Sequence, residues 1–258
     1  MNKNDSELFE KMHIAGKLAA RTLDELTLFV KPGVTTNFLD KICYEYIKDH
    51  GGNSAPLYYK GFPKSCCTSA NHIVCHGIPS EKVLKDGDIM NVDVTAFLDE
   101  HHGDTGRMFC IGDVSVKSKN LVSATYESMM KAISIIKPGT KLGDIGATIQ
   151  DYVESQGFSV VKDFCGHGIG TVFHKPPNIL HYGKKNSGIT LKSGMIFTVE
   201  PMINEGKYDI KILNDGWTAV TKDKTLSAQF EHTVGVTDEG FEIFTKSDKN
   251  FTQPPYLS

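Results

Sequence analysis

An internal repeat is the feature that most constrains what this chain can fold into. Residues 30–51 (VKPGVTTNFLDKICYEYIKDHG) align with residues 136–157 (IKPGTKLGDIGATIQDYVESQG) at a constant offset of 106, matching Lys31-Pro32-Gly33 to Lys137-Pro138-Gly139, Tyr46 to Tyr152 and Gly51 to Gly157. Residues 84–93 (LKDGDIMNVD) align with 191–200 (LKSGMIFTVE) at an offset of 107, which sets Asp93 opposite Glu200. One shared Lys-Pro-Gly turn arises by chance, but two separate matches at nearly the same offset do not. The 258 residues therefore read as a single domain, 1–258, made of two related α/β halves at about 5–112 and 113–245 with a tail at 246–258. The length suits one large domain. Packed about a pseudo-twofold axis, the halves would share a site to which each contributes a carboxylate.

Hydrophobic periodicity places the elements. Leu8, Met12, Ala15, Leu18, Ala19, Leu23 and Leu26 recur at helical spacing over 7–29, and Leu39, Ile42, Tyr46 and Ile47 do so over 36–50, where Gly51-Gly52 stops the helix. Two more helices are predicted over 118–136 and 142–156. Strand-rich segments are predicted near 88–98, 104–111, 158–163, 195–203, 217–221, 230–237 and 241–245. With 40% hydrophobic and 23% charged residues, the composition excludes disorder, collagen-like order and a disulfide scaffold. A formal charge of −3 lacks the basic excess of nucleic-acid-binding domains, so no direct nucleic-acid sequence recognition is expected. No apolar run approaches the roughly 18 residues of a membrane span, and residues 1–12 lack the apolar core of a signal peptide. The expected compartment is the cytoplasm, with no membrane partner. Cys43, Cys66, Cys67, Cys75, Cys110 and Cys165 have neither metal-knuckle nor Cys-x-x-Cys spacing and are expected as reduced thiols packed like small apolar groups.

Asp93 lies in the strand-like run Ile89–Phe97, where an acid is costly to bury without a partner. Asp104 follows eleven residues later on the return strand of a hairpin. With the turn centred near Leu98 and Asp99, the two acids lie directly across from each other on one face. Facing carboxylates repel, so either one is protonated or a cation holds them together; two exposed acids at a hairpin is the plainer alternative. Glu200, in Thr198-Val199-Glu200, and Glu231, at the start of the strand through Val234 and Val236, add two strand-borne acids. His167 sits among glycines in Gly166-His167-Gly168, which let the backbone approach a ligand closely. Carboxylates with one imidazole and no thiolate suit Mn²⁺, Fe²⁺, Co²⁺ or Zn²⁺ better than a structural zinc site. Four negative charges are too many for one ion, so two bridged ions roughly 3.5–4 Å apart are expected. His76 and His174, in Gly/Pro-rich loops, suit the rim of such a site rather than its metal shell.

HGIP at 76–79, NVDV at 91–94, HGDT at 102–105, GHGIG at 166–170, TVEPM at 198–202 and FEHT at 230–233 resemble, in their order, the signature segments of type I methionine aminopeptidase. The resemblance spans about residues 5–245. The lack of a long insertion between His167 and Glu200 and of an N-terminal zinc-binding extension is similar to the short bacterial or organellar form. The resemblance implies an α+β pita-bread fold, two pseudo-symmetric α/β halves around a central antiparallel-rich sheet. It implies that Asp93 and Asp104 hold one metal and Asp104, His167, Glu200 and Glu231 the other, with Asp104 and Glu231 bridging. It puts His76 near the scissile amide, gives His174 the substrate backbone and the tetrahedral intermediate, makes Glu200 general base and proton shuttle, and builds a methionine pocket from Tyr59, Phe62, Cys67, Phe173 and Trp217. An apolar, polarizable slot suits a thioether. The activity implied is removal of the N-terminal methionine from peptides and nascent proteins with a small second residue, by metal-activated water attacking the first peptide bond. A monomer is implied; contact with the ribosome is expected of a co-translational enzyme, and Lys184 and Lys185 could serve it, solvated loop charges being the plainer reading of that pair. Lys60, Gly106-Arg107 and Lys175-Pro176 depart from the commonest pattern and touch no implied ligand.

Other readings differ in what they demand. An aminopeptidase acting before proline, or a creatinase-like hydrolase, shares the fold but usually carries a substantial N-terminal domain. A non-catalytic binding protein on this scaffold would have lost ligands, and all five are present. A Cys–His nucleophilic hydrolase using Cys75 or Cys165 leaves four acids unexplained.

Overall fold

In a computed structural model, residues 3–256 are described, so the first and last two positions of the 1–258 span lie outside the described residues. The first half opens with helices α1 (Lys3–Leu26) and α2 (Thr36–Asp49) and continues through strands β1 (Asn53–Ser54), β2 (Cys67–Ala70), β3 (Ile73–Cys75), β4 (Ile89–Leu98) and β5 (His101–Cys110). The rest comprises α3 (Val116–Ser134), α4 (Leu142–Ser155), β6 (Ser159–Val160), β7 (Gly166–Gly168), β8 (Lys175–Ile179), β9 (Ile196–Val199), β10 (Met202–Asn204), β11 (Ile210–Ile212), β12 (Ala219–Thr221), β13 (Ser227–Gln229), β14 (Glu231–Val236) and β15 (Phe241–Ile243). No described helix is long and apolar enough to cross a membrane.

The helices form for the reasons their periodicity gave. Met12, Ala15, Leu18, Ala19, Leu23 and Leu26 all point α1 into the core, each large one contributing roughly 1.5–3 kcal/mol on burial. α2 starts where the Thr35 hydroxyl accepts the Phe38 amide and stops one residue before His50 and Gly51. α1 lies against the β4–β5 hairpin so closely that a Cβ on Gly103 would come within 2.4 Å of the Ala15 and Gly16 backbone.

The main sheet has nine strands in the order β1-β4-β5-β14-β9-β7-β8, with β2 also on β4 and β15 on β14. All its pairings are antiparallel. This mixed helix and curled antiparallel sheet is the pita-bread fold. Two smaller sheets, β13-β10-β6 and β11-β12-β3, complete the strands.

The repeat is visible in the backbone. Gly33 and Gly139 take φ of 92° and 95° in their Lys-Pro-Gly turns, a region that only glycine enters without strain. Gly33 then donates to Leu84 O at 2.8 Å and Gly139 to Leu191 O at 3.0 Å. The bridges Thr35↔Val83 and Lys141↔Thr190 repeat the same equivalence. One buried cluster gathers Leu18, Leu23, Leu39, Ile47 and Val92 with their neighbours, and another gathers Leu121, Ile133, Ile149, Phe197 and Val234.

The hairpin register differs from expectation. β4 and β5 turn at Asp99 and Glu100, with Leu98 paired to His101, so Asp93 faces Gly106 and Asp104 faces Thr95 rather than Asp93. Both turn residues have positive φ, 50° and 62°, as the two-residue turn matching strand twist demands; the polar Asp99-Glu100 pair takes that turn and leaves Leu98 in the strand. The slip is two residues, so parity holds and both acids stay on one face.

Candidate active site

The register of the curled sheet builds the site in two rows. In one, Asp93 on β4 and Glu231 on β14 both pair with Gly106 on β5, so Gly106, expected to touch no implied ligand, lies between two of them. In the other, Asp104 pairs with Thr95, and Thr233 on β14 pairs with Thr198 on β9. The Thr233 hydroxyl both donates to Asp104 O at 2.7 Å and accepts the Asp104 amide at 3.1 Å. Thr198 continues that row: its hydroxyl accepts the His167 amide at 3.0 Å and donates to Glu200 Oε1 at 2.7 Å. Glu200 stands just past β9, before Pro201, with its amide donating to His181 Nε2 at 3.2 Å and Gln229 Nε2 reaching toward its Oε2 at 3.4 Å.

Asp104, His167, Glu200 and Glu231 are buried, and Asp93 is half-buried at the cavity floor. Among the described residues, no lysine or arginine forms an ion pair with any of these acids. Burial, and next the Asp93 charge, hold Asp104 well above the usual carboxylate range. Asp93 is raised by burial against a hydrogen bond it shares with Asp104. Burial lifts Glu200 to about 8, and burial followed by the charges of Asp104 and Glu200 raises Glu231 strongly. Burial pushes His167 down to about 4. An anionic set with no internal counter-charge is what a divalent cation would complete. The distances agree: His167 Nε2 is 3.6 Å from both Asp104 Oδ2 and Glu200 Oε1, too long for hydrogen bonds but suited to ligands sharing one ion. Ligand atoms of Asp104, His167 and Glu231 all lie within 4.8 Å of one another. The donor set fits a metal.

Above the acids opens a cavity of about 360 Å³. The metal, catalytic and substrate-pocket candidates of the sequence line it: Asp93, Asp104, His167, Glu200 and Glu231 below, with His76, His174, Tyr59, Phe62, Cys67, Phe173 and Trp217 around. One wall stacks Tyr59 on His174 at 5.1 Å and sets Phe173 and His167 tilted against His174 at 4.0 and 4.1 Å. The other sets Phe62 edge-on to Trp217 at 5.2 Å and His76 edge-on to Phe164 at 5.3 Å. His76 has a φ of 55°, a conformation that costs a non-glycine residue of order 1–3 kcal/mol and persists where the surroundings impose it. All six cysteines are free; burial raises the thiols of Cys67 and Cys75 well above their ordinary value, which does not suit a nucleophile.

Sequence reasoning missed several residues. Phe164, Met202 and Thr95 line the cavity; Thr95 was within reach, being two residues from Asp93 on the same face, and it donates to Asp104 Oδ1 at 2.7 Å. Thr198, Gln229 and His181 support Glu200 from separate strands and a loop, and no local pattern marks them.

Comparison with known proteins agrees with this geometry. Residues 10–238 match metallopeptidase family M24. The methionine aminopeptidase of Rickettsia prowazekii (strain Madrid E) is 60% identical over 249 residues, 96% of each chain, and that of Escherichia coli (strain K12) is 51% identical over 98% of this chain and 96% of its own. The crystal structure of methionine aminopeptidase from Rickettsia prowazekii superposes with a TM-score of 0.92 at 59% identity, covering 95% of this chain and 98% of that one.

Proposed function

Because this chain belongs to metallopeptidase family M24 and within it to the methionine aminopeptidases, it is a metal-dependent hydrolase that removes N-terminal methionine, and we propose how its residues divide that work. The observation that carries the proposal is the convergence of Asp104, His167 and Glu231 ligand atoms within 4.8 Å beneath an aromatic slot. Asp93 and Asp104 would hold one divalent ion and Asp104, His167, Glu200 and Glu231 a second, with Asp104 and Glu231 shared; Mn²⁺, Fe²⁺, Co²⁺ and Zn²⁺ all suit the donors. When bound, such ions lower the pKa of water and polarise the scissile carbonyl.

The chain's own residues supply the rest. Tyr59, Phe62, Cys67, Phe173 and Trp217 take up the methionine side chain and exclude water, an apolar wall for a thioether. Glu200 takes the proton of the attacking water at one carboxylate oxygen and passes it to the leaving amine; the Thr198 hydroxyl on Oε1 and the Gln229 amide near Oε2 fix the rotation of the carboxylate. His174 donates to the carbonyl oxygen as charge develops there, a preorganised contact worth a few kcal/mol. His76 contacts the scissile amide. The slot between the stacked rings favours a small second residue.

The two halves at about 5–112 and 113–245, as parts of one catalytic domain, are supported by the equivalent glycine turns and bridges of the repeat. We also propose a cytoplasmic monomer acting on nascent chains. Of the two lysines put forward for ribosome contact, Lys185 already pairs with Asp151 at 2.9 Å, which leaves Lys184. The test of the catalytic reading is release of methionine from Met-Ala-Ser and Met-Leu-Ser peptides by the native protein and by Glu200→Gln, with Mn²⁺ or Co²⁺. Expected are release from the first peptide, much slower release from the second, and no turnover by the variant, with its fold intact by circular dichroism. Near-normal cleavage by Glu200→Gln would refute Glu200 as base.

A further inference from the structure

Glu200 sits where the chain leaves one sheet for another. β9 ends at Val199 in the nine-stranded sheet, Pro201 has no amide hydrogen, and β10 begins at Met202 in a different sheet. At such a joint the backbone has no ladder to hold it, and a buried amide left unpaired costs about 1–3 kcal/mol. The Glu200 amide is satisfied by a side chain: it donates to His181 Nε2 at 3.2 Å. His181 is 1% exposed. Its own position is set from outside the site, because Leu180 O and Tyr182 O press on α4 where a Cβ at Gly146 would meet them at 2.7 and 2.4 Å. Nε2 can accept only in the tautomer with the proton on Nδ1, and Nδ1 has no protein partner.

We propose that His181 is a positioning residue for the reaction: it fixes the backbone of Glu200, and thereby the place of the Glu200 carboxylate in the cavity lining, by accepting its amide with Nε2. This rests on the reading of Glu200 as base and metal ligand. Thr198 and Gln229 restrain the carboxylate itself; His181 restrains the backbone from which it hangs. Without that acceptor, Glu200 N–H must find water or turn, and the carboxylate turns with it.

The test compares His181→Leu, which removes the acceptor, with His181→Gln, whose side-chain oxygen can reach the place of Nε2, and with His181→Asn, whose oxygen cannot. Readouts are kcat and KM on Met-Ala-Ser, Mn²⁺ affinity by calorimetry, and Tm. Supporting residues of this kind typically change metal affinity or activity by about 10–100-fold. His181→Leu should lower kcat by about that factor with KM within twofold and weaken Mn²⁺ binding about tenfold. His181→Gln should restore both to within about threefold even if its Tm falls as far as that of the leucine variant. If His181→Leu does not fold, the two amides decide, with the glutamine variant active and the asparagine variant impaired. Native-like kcat and Mn²⁺ affinity in His181→Leu, or equal values for the two amides, would overturn the proposal. Absence of methionine release by the native protein would instead remove the reading of Glu200 beneath it.

Discussion

Stripping the protein of divalent ions should make its stability fall as the pH rises above neutrality. Burial raises the folded-state pKa of Glu200 to about 8 and moves Asp104 and Glu231 in the same direction. A carboxyl raised above its unfolded value contributes stability that is complete below the unfolded pKa and is lost as pH rises through the folded one. The buried histidines act oppositely and at lower pH: burial pushes His167 to about 4 and His181 to about 3, so both oppose folding only below their unfolded value of about 6.5. Between pH 6.5 and 8 the carboxyls act alone. Over that window Glu200 by itself loses about 2 kcal/mol, at about 1.4 kcal/mol per pH unit, and Asp104 and Glu231 add to the loss. For a chain of this size the Glu200 share corresponds to roughly 4–8 °C in Tm. The assay is thermal unfolding of chelator-treated protein at pH 6.5, 7.25 and 8, with and without Mn²⁺. Because metal competes with protons for these oxygens, Mn²⁺ should stabilise more at pH 8 than at pH 6.5. An apo Tm that is flat or rises over this range, or an Mn²⁺ increment independent of pH, would refute the reasoning.

Substitutions at three positions test other parts of the structure. His174→Ala should lower kcat on Met-Ala-Ser by about 10²–10³-fold, as loss of an oxyanion donor does, with little change in Tm; kcat within threefold of native would remove His174 from the reaction. Asp24→Ala strands Arg107, whose Nη2 lies 2.8 Å from Asp24 Oδ1 with both side chains buried, and should cost about 3–5 kcal/mol in denaturant unfolding, a loss under 1 kcal/mol counting against it. At Gly106 a Cβ would meet Asn91 Nδ2 at 3.1 Å and Glu231 Cβ at 3.4 Å, contacts that a shift of about a few tenths of an ångström relieves, so Gly106→Ala should keep Mn²⁺ binding within about threefold. Gly106→Val, with two more carbons crowding between Asp93 and Glu231, should lose more than tenfold, and equal affinities would refute the crowding.

What was legible in the sequence was whatever depends on period or parity. The buried face of α1 follows from 3.6-residue spacing, and Asp93 and Asp104 share a face because their separation survives a two-residue slip of register. The register itself was not legible, because it depends on which two residues of Phe97-Leu98-Asp99-Glu100 adopt positive φ, and no glycine marks the place. β2 was missed because Cys67-Thr68-Ser69-Ala70 is buried at all four positions and shows no alternation. His181 and Gln229 were missed for a different reason. Their part in the site comes from meeting Glu200 across 19 and 29 residues, and neither stands beside an acid in the sequence.

The repeat explains the position of the site better than its composition. Its two matched strands, β4 with Asp93 and β9 with Glu200, do not touch; between them run β5 and β14, which pair with each other. Neighbouring strands lie about 4.8 Å apart, so the matched acids are separated by three such steps, and only the curl of the sheet and the length of the glutamate bring them toward one another. The inner pair supplies what fills that span: Asp104 from β5 and Glu231 from β14, each adjacent to one matched strand. On the proposed two-ion reading, the inner acids would be the shared ligands and each outer acid would serve a single ion. The strand order also accounts for the asymmetry in support. Asp104 has a ladder partner in Thr95 and rests its amide on the Thr233 hydroxyl, whereas Glu200, just past the end of β9 where the chain passes to another sheet, has no ladder partner and rests its amide on His181.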